Sequence, residues 1–136
     1  MRFDLDELAA PIEELRPRLD EAYQDLNDEW KTISKRLRAI SVPCRVSLEL
    51  PRWQPDAARF LEWRKQGKAW RFCLVTKKEN AGGEEVVTVR PLPQWTAQER
   101  MNTLQHVPDF FAEAEKRTRW FIRKASESRA KCTTAG

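Results

Sequence analysis

The chain has 136 residues, 34% of them charged, a mean hydropathy of −0.73 and a net charge of +4. That length suits a single domain with one modest core. No apolar run approaches the roughly 20 residues of a membrane span, and the first residues lack the apolar stretch of a secretory signal, so a soluble cytoplasmic protein is expected, with no membrane partner.

Residues 5–40 read as helical. Pro11 suits a first helical turn, and Pro17 marks a break or a second start. Beyond it Leu19, Ala22, Leu26, Trp30, Ile33, Leu37 and Ile40 recur at spacings of three and four, one face of a helix, with Tyr23 beside them. Acids crowd the first part (Asp20, Glu21, Asp25, Asp28, Glu29) and bases the last (Lys31, Lys35, Arg36, Arg38), which complements the helix dipole. Ser41-Val42-Pro43 ends the segment. Cys44, Val46, Leu48 and Leu50 then alternate with Arg45, Ser47 and Glu49, the pattern of a half-buried strand.

Three more strands are expected between Arg59 and Arg90. With Gln66-Gly67 as a two-residue turn, Trp63 faces Trp70, Glu62 faces Arg71 and Leu61 faces Phe72. Leu61, Trp63, Trp70 and Phe72 then share one sheet face. The competing reading makes residues 56–65 a helix capped by Asp56 and stopped at Gly67. Asn80-Ala81-Gly82-Gly83 is a polar hairpin turn. It lacks the spacing of a phosphate-binding loop. Glu85 to Arg90 is β-branched and closes at Pro91 and Pro93.

Thr96-Ala97-Gln98-Glu99 has the form of a capping box opening a helix to about His106. Pro108 starts a second helix with Phe111, Ala114, Thr118, Phe121, Ile122 and Ala125 on one face. Residues 126–136 are small and polar and read as a flexible tail beyond a domain spanning 1–125. The order of elements is α+β: a long N-terminal helix, a four-stranded antiparallel meander, and a C-terminal helical region packed on one sheet face.

Chemistry is sparse. His106 is the only histidine, at a helix end without partners at triad or zinc spacing. The adjacent carboxylates Glu13-Glu14 and Glu84-Glu85 point to different faces and read as solvated. Cys44, Cys73 and Cys132 lack metal-ligand spacing and read as two core thiols and one tail thiol. No catalytic residue, metal ligand or cofactor is assigned.

Six tryptophans could build a stacking platform for single-stranded nucleic acid. The facing argument instead sends Trp63 and Trp70 towards the helices. The second sheet face carries Phe60, Arg71, Cys73 and Val75, an apolar group in a polar surround. With Trp53 in its Pro-flanked loop, these form the candidate interaction surface.

Charge is polarised along the chain. Residues 1–40 hold seven Lys/Arg and ten Asp/Glu (−3), residues 41–95 ten and six (+4), and residues 96–136 eight and five (+3). The function expected is a non-enzymatic interaction or assembly module that binds another protein or a second copy of itself. The alternative is weak electrostatic binding of nucleic acid, with Arg117, Arg119, Arg123 and Lys124 on phosphates.

Overall fold

The structure, a computed structural model, describes residues 2–135. Helices α1 (Leu5–Glu13) and α2 (Arg16–Ile40) lead into strands β1 (Val46–Leu50), β2 (Ala57–Gln66), β3 (Ala69–Glu79) and β4 (Glu85–Pro91). A short 3₁₀ turn, Leu92–Gln94, connects to α3 (Ala97–Leu104) and α4 (Val107–Ala135). The four strands pair antiparallel in sequence order, so the α+β meander read from the sequence is the fold.

The N-terminal helix begins earlier than the prolines suggest. Asp4 caps it, its carboxylate accepting the N–H groups of Asp6 at 3.0 Å and Glu7 at 3.4 Å. Pro11 therefore lies inside α1, not in a first turn, and removes one helical hydrogen bond. The helix ends at Glu13. Pro17 sits in the first turn of α2, where its missing N–H costs nothing. Ser41 stops α2 in the left-handed conformation (φ 57°), its N–H returning to Leu37 and Arg38 carbonyls.

The stretch read alternatively as a helix over residues 56–65 is strand β2, Ala57–Gln66, preceded by Asp56 in a turn. The hairpin differs from expectation by one loop residue. The first loop position of either favoured hairpin turn needs positive φ, which Gly supplies without strain and Gln does not. The loop is therefore Gly67-Lys68, with Gly67 at φ 63° and Gln66 paired to Ala69. Moving the loop by one shifts the pairing by two, so every side chain keeps its face but changes its neighbour. Trp63 faces Phe72 instead of Trp70, which faces Lys65, and Glu62 faces Cys73 instead of Arg71. The second hairpin is closed by Asn80, whose side-chain oxygen accepts the N–H groups of Gly82 and Glu84 at 2.9 and 3.0 Å.

The core lies between one sheet face and the helices. Val46 and Leu50 from β1, Leu61 and Trp63 from β2, and Phe72 and Leu74 from β3 meet Trp30 and Leu37 of α2, Trp95, and Phe110 and Ala114 of α4. Phe72 is its centre. Trp30, Trp63 and Phe110 approach its ring edge-on, with centroids 5.0–5.3 Å away. Trp30 also packs edge-on against Trp95 at 5.1 Å. Both indole N–H groups are satisfied, Trp30 donating to the Arg100 carbonyl at 3.0 Å and Trp95 to that of Arg90 at 2.8 Å. The stripe proposed for α4 missed Phe110, which is fully buried, whereas Phe121 and Ile122 are exposed. Helix α4 continues through Ala135, across residues read as a tail, and a Lys124–Glu127 pair supports its later turns. Gly136 lies outside the described residues.

Replacing Phe72 by Ala should lower unfolding free energy by about 3–5 kcal/mol in denaturant titration, a large share of the roughly 5–15 kcal/mol of a small domain. Val46→Asp should unfold the chain, because Val46 is fully buried, whereas Arg45→Asp, on the exposed flank, should stay within about 0.5 kcal/mol of wild type.

Candidate interaction surface

The second sheet face carries no helix. Alternation along the strands places Ser47, Phe60, Glu62, Arg64, Arg71, Cys73 and Val75 there. Phe60 pairs across to Val75, and Val75 in turn to Val89, which makes an apolar row. Lys77 lies over the Phe60 ring, 4.9 Å from its centroid. Cys73 and Val75 are buried, so of the four sheet residues proposed Arg71 is exposed and Phe60 half-buried. Burial raises the Cys73 thiol above its ordinary pKa, against the opposing pull of Arg64 and Gln66, which leaves it a poor nucleophile. Glu62 is almost wholly buried. Its carboxylate accepts the Ser47 hydroxyl at 2.9 Å and the Arg64 guanidinium at 3.3 Å. Those contacts satisfy the charge locally and close the centre of the face.

Trp53 is not part of that face. Its ring carries the Arg59 guanidinium at 4.1 Å, and Arg59 points to the helical side of the sheet. There Trp53, Arg59, Asn102, Thr103 and His106 line a cleft of about 140 Å³. Beside it an ion pair ties the end of β4 to α3. Arg90 donates both to Glu99 Oε1 at 3.0 Å and to Oε2. Glu99 also completes the expected capping box, accepting the Thr96 N–H at 2.9 Å while the Thr96 hydroxyl accepts the Glu99 N–H at 3.1 Å. Burial pushes the Glu99 carboxyl upward, but hydrogen bonds from Arg90 and Thr96 outweigh it and hold it below the ordinary value. Burial lowers the nearby Arg59, with Glu99 opposing.

The largest uncovered apolar surface is on the helices. Leu5, Leu8, Ile12, Leu15 and Leu19 are 42–72% exposed along α1 and the start of α2, and Tyr23 extends them. Of the α2 stripe only Trp30 and Leu37 are fully buried, with Leu26 and Ile33 packed at the margin. The signal for this surface was in the sequence, since the three-and-four spacing runs back without interruption from Leu19 through Leu15, Ile12, Leu8 and Leu5. Helix α4 ends similarly, with Trp120, Phe121 and Ile122 exposed. Arg117 lies over the Trp120 ring at 4.7 Å, Arg119 pairs with Glu115 at 2.9 Å and Lys124 with Glu127 at 3.4 Å. Arg123 shares that exposed stretch. Trp30, Trp63 and Trp95 belong to the core, which leaves no tryptophan platform on the sheet. Among the described residues no helix is long and apolar enough to cross a membrane. Compared with protein-family models, curated proteins and solved structures, the chain matches none.

The Glu99 carboxyl titrates lower folded than unfolded, so its contribution to stability is complete above the unfolded value of about 4.3 and is lost as pH falls through the folded value. Glu99→Gln should therefore lower the denaturation midpoint at pH 7, and the gap from wild type should narrow by about pH 3. A gap that is constant between the two pH values would show that the loss does not come from the charge of the carboxylate.

Proposed function

We propose that the protein is a small non-enzymatic cytoplasmic assembly module that associates through its helices with another protein, foremost a second copy of itself. One observation carries this reading: α1 and the first turns of α2 present a continuous apolar stripe to solvent. A solvated helix needs no such stripe, and contiguous apolar surface of this kind marks association sites. The sheet face is the weaker candidate, because its apolar centre is already closed by its own side chains.

The second reading, weak binding of nucleic acid, is favoured by the basic turns of α4, where Arg119, Arg123 and Lys124 are exposed and Arg117 is half-buried against Trp120. Two of these four already pair with acids in the same helix, which reduces the charge offered to phosphate.

Sedimentation velocity from about 1 to 100 μM should show concentration-dependent association. Substituting Leu8→Lys and Ile12→Lys together should abolish it with little change in the melting curve, since both side chains are exposed. A wild-type chain that stays monomeric throughout overturns the reading. If it then binds oligonucleotides with a log-log salt slope of about −3 to −4, about four phosphates are contacted, and charge reversal at Arg117, Arg119, Arg123 and Lys124 should abolish that binding.

A further inference from the structure

The reading above leaves open what receives the N-terminal stripe. The structure holds a receptor of matching chemistry. Between the last turns of α2 and the middle of α4 runs a groove of about 370 Å³, lined by Leu37, Ile40, Val42, Phe111, Ala114 and Ile122, with Thr118, Glu115 and Arg119 at its margin. Ile40 and Ile122 are more than half exposed in it. The helical turns that form the groove are basic. Residues 33–42 carry three Lys/Arg and no acid, and residues 111–122 carry three Lys/Arg against Glu113 and Glu115, a net charge of +4 for the two segments, with Arg119 paired to Glu115.

The N-terminal arm is the reverse. Residues 4–29 hold ten Asp/Glu and two Lys/Arg, a net charge of −8 around an apolar stripe. Leu5, Leu8, Ile12, Leu15, Leu19, Ala22 and Leu26 alternate at three and four, the heptad spacing of a helix that packs lengthwise against other helices. Pairing two such arms with each other would set like charges side by side. Pairing an arm with the groove sets acids against bases while both apolar surfaces leave water.

A chain cannot fill its own groove. Leu37 lies about 33 Å along α2 from Leu15, at 1.5 Å per residue, and α1 is only about 13 Å long. Even folded back at its junction, α1 would stop well short of Leu37.

We propose that the acidic N-terminal arm of one copy docks in the basic α2–α4 groove of a second copy, a claim that rests on the assembly reading and names its partner surface. The contact joins two different patches. Two copies can exchange arms in a closed pair, or successive copies can extend head to tail.

The test uses the full chain and two variants, each altered only at exposed positions: Leu8→Lys with Ile12→Lys on the arm, and Ile40→Glu with Ile122→Glu in the groove. Each should raise the dissociation constant for self-association at least about tenfold in sedimentation equilibrium, with melting curves recorded alongside. Wild-type association should weaken from about 50 to about 500 mM salt, as expected for exposed opposite charges. Mixing the two variants should restore association, because the intact arm of one meets the intact groove of the other. Association that survives the groove substitutions but not the arm substitutions would mean arm-on-arm pairing, which overturns this inference and leaves the assembly reading intact. A wild-type chain that is monomeric throughout overturns both.

Discussion

The rest of the structure depends on the edge-on packing around Phe72. One ring from β3 receives Trp63 from β2, Trp30 from α2 and Phe110 from α4. Aromatic edges against a ring face are a directional contact as well as a large burial of apolar area. The hub therefore decides where along their lengths the two long helices touch the sheet. Trp30 lies past the middle of α2, and Phe110 in the first turn of α4. The large apolar residues from Leu5 to Tyr23, well before Trp30, and Trp120, Phe121 and Ile122, after Thr118, are exposed. The uncovered apolar residues are a consequence of where the hub sits on each helix.

The two sheet faces handle polarity differently. The helical face excludes water by side-chain packing, with the indole N–H groups of Trp30 and Trp95 spent on carbonyls of Arg100 and Arg90. The open face has no covering element, yet Cys73, Val75 and Glu62 are buried in it. Lys77 lies over the Phe60 ring, and the Glu62 carboxylate is matched by Ser47 and Arg64. A buried carboxylate left unpaired there would cost several kcal/mol, so this small network is what allows the face to close without a helix.

Charge follows the same division of the molecule. The acids gather on the arm that leaves the body, whereas residues 41–95, which hold the sheet, carry a net +4 and the turns of α2 and α4 that flank the groove are net basic. Within one helix this order also suits the dipole, with acids early in α2 and bases late. The dipole accounts for the order along α2, but it does not account for the apolar stripe that the acids accompany. A stripe without a covering surface is the feature that association would explain.

Much of this was legible in the sequence. The period of two in β1, the proline and glycine punctuation, the capping box at Thr96 and the restart at Pro108 are local signals, set by backbone sterics and by hydrogen bonds within a few residues. They specify the elements and their order. Face assignment survived even a misplaced turn, because moving a two-residue loop by one position preserves alternation. Which residues meet was decided by tertiary structure. Trp63 faces Phe72 because only Gly67 could take the first loop position, and it is Phe110, not Phe111, whose ring meets Phe72 at the centre. The sequence also could not distinguish a stripe that is buried from one that is not, since both are written with the same spacing. Leu19 and Leu37 lie in one periodic run, and only the position of the sheet beneath α2 buries one and leaves the other in water.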